Sequence, residues 1–316
     1  MIDFKPLILD QKPEIDRILR DSDLFGCEFC FGNFYIWNEY YEFSVSLEDG
    51  VFTAFSPKTG TYVCPVGATD LKSAVLRLKE DADNRGNPLV LRGIDSGRKM
   101  LLEEAFPGGF DFMSSEDIFD YLYKTSDLAQ LPGKRYHKKR THIARFEERY
   151  DYVFEPISSK NIGECRRLYE KWYSEHVPQN PKLIFEHLAM ERCFEDYFTL
   201  GFSGGLVRIT GVKHPESVSH LSKPQEDAQP PLCEPLQTVA FTFGEPINSR
   251  VFGIHAEKAD PKVQGAYPIV NREFAKTLTA YEYLNREEDL GLEGLRRAKQ
   301  SYYPAILLEK FEAVWK

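Results

Sequence analysis

Residues 251–303 constrain the fold of this chain more than any other stretch. They begin with an apolar, strand-like run, Val251-Phe252-Gly253-Ile254-His255-Ala256. A breaker-rich turn follows, and then Val270, Phe274, Leu278 and Tyr281 recur at spacings of four, four and three, one face of a helix. A second strand starts near Tyr283, Gly291 breaks it, and a further helix is predicted over 292–302. Strand, turn, helix, strand and helix in that order describe an open α/β sheet. In such sheets ligands bind beyond the carboxyl ends of the strands, where helix N-termini leave backbone N–H groups free. Both strand ends here are dense in polar residues: Glu257, Lys258 and Asp260 after the first, Asn285, Arg286, Glu287, Glu288 and Asp289 after the second. On the last helix Leu292, Leu295 and Tyr302 define an apolar stripe with Lys299 in its middle. A lysine there must reach water or meet a partner, and Glu257, Glu288 and Asp289 are the candidates. A structural ion pair and a catalytic group would both satisfy that requirement. The site is expected where Glu257, Asp289 and Lys299 converge on one hollow.

The segments IHAEKAD (254–260), GAYPIVNREFA (265–275) and NREEDLGLEGLRRAKQSYYP (285–304) resemble a bacterial family of unknown function related to the C-terminal domain of phosphatidylglycerol lysyltransferases. The resemblance extends over nearly the whole chain, and its most specific part is NREEDLG…GLRRAK. It implies an α/β (α+β) protein of two tandem acetyltransferase-like (GNAT) domains, as in the Fem-type aminoacyltransferases, with mixed, mostly antiparallel sheets flanked by helices. It also implies an acyl- or aminoacyltransferase, with acyl-CoA or aminoacyl-tRNA as donor and an amine or hydroxyl as acceptor. On this basis residues 1–133 form the first domain, 134–150 a basic bridging helix and 151–316 the domain with the site.

Acyl transfer needs a held carbonyl, a stabilised oxyanion, a deprotonated nucleophile and a protonated leaving group. Glu257 and Asp260 are the candidate general bases. Asn285 and Arg286 are suited to orienting a carbonyl or carboxylate, Arg286 through its fork. Tyr267 and Tyr302 are the candidate proton donors, and Asp289 and Lys299 complete the catalytic set. In the fold that the resemblance implies, donor phosphates sit on a loop ahead of a helix, here Gln264, Gly265 and Ala266. Gly265 permits close backbone approach, but a single glycine serves equally well in a plain turn. His255, within an apolar strand, reads as a core histidine.

The second informative stretch is basic, residues 134–145, in which Lys134, Arg135, Lys138 and Arg140 would grip a phosphorylated donor. The same charges would also suit a solvated helix with Ile143, Phe146 and Tyr150 on its buried side. If catalysis were lost, this helix would make the chain a binding module for RNA or a phosphorylated metabolite.

Composition narrows the classes. With 42% hydrophobic and 14% aromatic residues the chain can bury a core, and its net charge of −9 excludes a general nucleic-acid coat. The expected partners are a small molecule or an aminoacyl-tRNA, and no DNA. The N-terminus lacks the features of a signal peptide, and no apolar run approaches the roughly 20 residues that span a bilayer. A cytoplasmic protein with at most peripheral lipid contact is therefore expected. Only Cys27 and Cys30 of the six cysteines form a C-x-x-C pair, with no second pair, so no metal is expected. Hydrolase, zincin, Walker and dinucleotide motifs are absent from the sequence.

Upstream, the sequence predicts a helix over 12–21, an aromatic cluster over 25–41 and a hairpin of 43–47 with 51–55, which 62–66 extends. It next predicts a helix over 69–82, strands over 89–91 and 119–123, and a helix over 99–105 capped by Asp95. In the second half strands are expected over 152–154, 204–209 and 239–243, with a helix from a Ser158 or Ser159 cap to His176 and another over 183–198. Pro178 to Pro181 should break the chain, 211–235 should form an excursion, and 305–314 a last strand or a tail.

Overall fold

The computed structural model describes residues 2–177, 183–213 and 237–316. In chain order the first half contains β1 (Lys5–Pro6), α1 (Lys12–Asp21), α2 (Phe31–Ile36), α3 (Asn38–Tyr41), β2 (Ser44–Ser46), β3 (Thr53–Ser56) and β4 (Thr61–Val63). It continues with α4 (Leu71–Asn84), β5 (Val90–Asp95), α5 (Ser96–Ala105), β6 (Phe110–Ser114), β7 (Asp120–Lys124) and α6 (Thr125–Gln130). Then come α7 (His137–Arg149), β8 (Tyr150–Pro156), α8 (Ile162–His176), α9 (Leu183–Asp196), β9 (Ser203–Val212), β10 (Gln237–Pro246) and β11 (Val251–Ala259). The chain closes with α10 (Ala266–Thr277), β12 (Tyr283–Asn285), α11 (Glu293–Gln300), β13 (Ile306–Leu308) and β14 (Lys310–Trp315).

Local chemistry sets several of these boundaries. Pro13 occupies the first turn of α1, where its missing N–H costs nothing. The carboxylates of Asp70 and Asp95 accept from the Ser73 and Arg98 N–H groups and cap α4 and α5. At α8 the cap is Asn161, whose Oδ1 accepts from Ser158 N–H at 2.7 Å, rather than Ser158 or Ser159.

The strands form two seven-stranded sheets, ordered β1-β2-β3-β4-β5-β14-β6 and β8-β9-β10-β11-β12-β7-β13. In each, four antiparallel strands lead to one parallel pair, β4 with β5 and β11 with β12. The two orders therefore superpose strand for strand. The sixth position is exchanged: β7, from the first half of the chain, lies in the second sheet, and β14, from the end, lies in the first between β5 and β6. The last predicted strand is thus two strands, β13 and β14, on either side of Glu309 and in different sheets.

Three apolar clusters fill the space between layers. One packs α4 and α5 on the first sheet through Val75, Leu78 and Leu102. A second packs α6, α7 and α10 on the second sheet through Leu128, Phe146, Val270 and Phe274. The third joins the halves, combining Ile15, Phe31 and Phe34 with Tyr169, Phe194, Phe241 and Phe243. Of the aromatics of 25–41, Phe29, Phe31 and Phe34 lie in this shared core and Phe25, Tyr35 and Trp37 pack against it.

The short elements β1, α2, α3, β6 and α6 escaped the sequence reading, because none is long enough to establish a period. The predicted strand over 251–256 extends to Ala259, which places Glu257 inside β11 instead of beyond it. The helix predicted from Val270 starts at Ala266. The break expected at Pro178 to Pro181, and the expected excursion from residue 214 onward, lie outside the described residues.

Gly265 precedes α10 with φ of 92°, and a Cβ there would lie 2.6 Å from His142 O and 2.8 Å from Phe146 Cβ. Glycine is thus required both by conformation and by the contact of this turn with α7. Gly265→Ala is expected to destabilise the protein by about 1–3 kcal/mol, read from the urea midpoint.

Candidate active site

β11 and β12 pair in parallel only through Val251–Tyr283, Phe252–Leu284 and Gly253–Asn285. Beyond that point β11 continues alongside β10, while β12 ends. Four consecutive charged side chains, Arg286 to Asp289, follow in the opening. Glu287 and Leu290 adopt positive φ (58° and 54°), so this short segment is strongly turned. It is held by Lys299, only 7% exposed, whose ammonium donates to the carbonyl of Arg286 (2.5 Å) and to that of Glu288. Lys299 accordingly meets backbone carbonyls and not the carboxylates expected from sequence. Burial depresses its pKa to about 8, with Glu287 opposing and Arg286 adding to that shift.

The four side chains then diverge. Arg286 Nη2 donates to Glu257 Oε1 at 2.7 Å, and Asn271 Nδ2 donates to Glu257 Oε2 at 2.9 Å. Arg286 Nη1 and Asn271 Oδ1 are both buried without a hydrogen-bond partner. Glu287 Oε1 lies 2.8 Å from His255 Nδ1, and Glu245 Oε1 is 3.1 Å from Nε2 of the same ring. Glu288 Oε1 accepts from Lys310 Nζ at 2.6 Å, and that ammonium also meets Asp120 (2.9 Å) and Glu28 (3.2 Å). Asp289 accepts from Tyr121 (2.6 Å), Arg296 (2.7 Å) and Gly291 N–H (2.9 Å).

Electrostatics differ among these branches. Burial opposes the charge of Asp289, but Arg296, Tyr121 and Gly291 outweigh it and hold the carboxyl at about 2. At Glu288 burial raises the pKa, Lys310 lowers it, and Asp120 and Glu28 raise it again, leaving it at about 7. Three carboxylates share one ammonium there.

The bridging helix contributes to the same opening. Lys139 donates to Ser301 Oγ at 2.7 Å and lies 3.7 Å above the ring of Tyr302. Burial and the nearby Arg286 push its pKa down to about 8, against the pull of Glu257. Arg286 lies over the same Tyr302 ring at 5.0 Å, so Lys139, Tyr302, Arg286, Glu257 and Asn271 form one group.

The structure therefore divides the sequence-predicted residues. Glu257, Arg286 and Tyr302 come together. Lys299 supports them through the backbone. Asp260 does not join them: its carboxylate is 2.7 Å from Lys171 Nζ and accepts from Lys262 N–H. Asp289 is engaged with Arg296 and Tyr121. Asn285 is fully buried, donating to Asp120 (2.8 Å) and Phe25 O (2.9 Å). A single hollow shared by Glu257, Asp289 and Lys299 is thus not what the side chains form. A surface hollow of about 690 Å³ lies elsewhere, lined by residues such as Leu24, Arg98 and Met100, and includes none of them. Leu292 and Leu295, expected in a buried stripe, are 47% and 37% exposed. Tyr267 is 37% exposed on the first turn of α10.

At the expected phosphate loop, Gln264 is exposed and Gly265 packs on α7. Ala266 N–H already donates to Val263 O, Ile269 N–H donates to Gly265 O, and Pro268 has no N–H. In the basic stretch Arg135 pairs with Asp127 at 2.6 Å and Arg140 donates to the carbonyls of Leu131 and Gly133. Lys134 and Lys138 are exposed.

Sequence reasoning missed Lys139, Asn271, Glu245, Glu28, Asp120 and Lys310. A signal existed for Lys139, since Tyr136, Lys139, Ile143 and Phe146 share one helical face, the same pattern that drew attention to Lys299. For Asp120 and Lys310 the sequence had no signal, because their meeting depends on the exchange of β7 and β14.

The chain belongs to the family described as phosphatidylglycerol lysyltransferase, C-terminal, whose sequence model matches residues 19–314. A conserved protein of unknown function from Bacteroides thetaiotaomicron is 35% identical, with 100% of both chains covered and a TM-score of 0.89. L-PGS from Bacillus licheniformis is 16% identical over 100% of this chain and 94% of its own, with a TM-score of 0.64. FemX is 9% identical over 98% of this chain and 97% of its own, at a TM-score of 0.54. At these identities the last two are likenesses of fold alone, and the fold is that of tandem acetyltransferase-like halves. An uncharacterized protein of Mycoplasmoides gallisepticum is 20% identical over 199 residues, and the chain spans 56% of the length of that curated relative. Among the described residues no helix is long and apolar enough to cross a membrane.

The Glu288 cluster yields a pH prediction. Its folded pKa, about 7, lies above the unfolded value of about 4.3, so its contribution to stability is present below that lower value and lost as pH rises through 7. Glu288→Gln should match the wild type near pH 4 and become progressively the more stable of the two up to pH 8, from paired urea melts. A difference that stays constant over this range would contradict the assignment.

Proposed function

We propose that the chain is an aminoacyltransferase, moving an aminoacyl group from the ester of an aminoacyl-tRNA to an amine or hydroxyl acceptor in the opening between β11 and β12. The observation that carries this reading is the pair of unsatisfied polar atoms flanking Glu257. Arg286 Nη1 is a buried cationic donor and Asn271 Oδ1 a buried acceptor, each already fixed through its other end to the Glu257 carboxylate. Buried polar groups without partners are costly, and a ligand offering a carbonyl oxygen to one and an N–H or O–H to the other removes that cost.

The chemistry follows from those positions. Arg286 stabilises the oxyanion as the acceptor attacks the acyl carbon. The ester C–O bond breaks, the acceptor loses its proton, and the ribose oxygen leaves with one. Lys139, with a pKa brought near neutrality, carries the proton, and Glu257 orients Arg286 and Asn271. The turn ahead of α10 favours an aminoacyl ester over acyl-CoA, because it has the single Gly265, packed on α7, and Pro268 supplies no N–H. The engagement of Arg135, Lys139 and Arg140 within the protein disfavours the basic stretch as a separate grip for RNA.

Purified protein supplied with radiolabelled aminoacyl-tRNAs or acetyl-CoA, together with phosphatidylglycerol vesicles or soluble amines, tests this reading. Transfer from aminoacyl-tRNA is expected, and Arg286→Lys should lower kcat by about 10²-fold. Transfer from acetyl-CoA alone would overturn the choice of donor, and no transfer from either would overturn the reading. With Lys139 as base, kcat/KM should rise with pH through about 8, and Lys139→Arg should abolish that rise.

A further inference from the structure

We propose that Cys30, Glu245 and His255 form a second, buried site that takes a zinc-class divalent cation. Their sulfur, carboxylate and imidazole donors all lie within 4.8 Å of one another. Cys30 Sγ is 4.0 Å from His255 Nε2, and that nitrogen is 3.1 Å from Glu245 Oε1. Tetrahedral zinc, with bonds of about 2.3 Å to sulfur and about 2.0–2.1 Å to nitrogen and oxygen, keeps such atoms roughly 3.3–3.6 Å apart. Closing the site thus asks for movements of about half an ångström at the histidine.

Two further observations point to a cation. Glu287 accepts from Nδ1 of His255 at 2.8 Å, which fixes the ring with Nε2 facing Glu245 and Cys30. A carboxylate behind a histidine in this way is the usual support of a metal-ligating imidazole. Glu245 is 1% exposed, and its Oε2 has no hydrogen-bond partner; the ammonium of Lys12 is 3.9 Å away. A buried carboxylate oxygen so placed is poorly compensated. The other acid cluster, Cys27, Glu28 and Asp120, differs because the ammonium of Lys310 already occupies it.

The charge balance is neutral. Without metal, a protonated His255, two glutamates and a thiol sum to −1. A divalent ion displaces the Nε2 proton and the Sγ proton, both released to solvent, and the cluster again sums to −1. Thiolate, imidazole and carboxylate together suit zinc among the divalent ions. The ligands come from the segment before α2, from β10 and from β11, so the ion fastens the first 30 residues to the second sheet. No spacing motif announces residues so far apart.

The test uses the full chain, purified without a polyhistidine tag or chelator. Elemental analysis should find one zinc per chain. After chelation, cobalt(II) should restore a thiolate-to-metal charge-transfer band and the visible absorption of a tetrahedral site. Cys30→Ser should lose the band, whereas Cys64→Ser, a buried cysteine of the first-half core, should keep it. Should Cys30→Ser not fold, Glu287→Gln retains all three ligands and is expected to weaken cobalt binding by about 10–100-fold. Folded wild type that holds no zinc, and whose metal-free form gives no thiolate band with cobalt, would overturn the proposal and leave His255 as an ion pair with two glutamates.

Discussion

The ammonium of Lys299 holds the centre of this protein together. By donating to the carbonyls of Arg286 and Glu288 it fixes a turned segment that contains two residues at positive φ, a conformation that few L-residues adopt unaided. Four successive side chains can then leave that segment in four directions and end on four separate partners. Arg286 and Glu287 meet two residues of β11, Glu257 and His255, while Glu288 meets the exchanged strands and Asp289 meets α11. Local backbone geometry thereby becomes global order.

The same arrangement explains the division of labour among the acidic residues. Asp289 and Asp260 are saturated by cations and N–H groups, which secures their charge but leaves them little capacity for a substrate. Glu257 is different because its two partners are each half satisfied. The unsatisfied polar atoms of the opening therefore belong to Arg286 and Asn271, and not to the carboxylate between them.

Much of the fold was legible in the sequence wherever periodicity had room to establish itself. The helices near 12–21, 71–84, 162–176 and 183–196 and the hairpin of β2 with β3 announced themselves by spacing. The polar segment after β12 that organises the candidate site was legible too, because four charged residues follow one another there. What the sequence could not convey was which polar group meets which. Lys299 and Lys139 both interrupt apolar helical faces, yet one reaches carbonyls and the other lies on an aromatic ring. Nor did the near-identity of the two sheets leave any fixed-period repeat in the sequence, because the pattern of pairing was duplicated and the residues were not.

The reciprocal exchange of β7 and β14 has a consequence for biogenesis. In the first sheet β5 and β6 have no direct contact along their ladder until residues 310–315 are inserted between them. The first half accordingly keeps two open strand edges until that segment has been made, however early its helices form. Its sheet is completed only once residues 310–315 are in place, so loss of that segment would damage the half that precedes it in the chain.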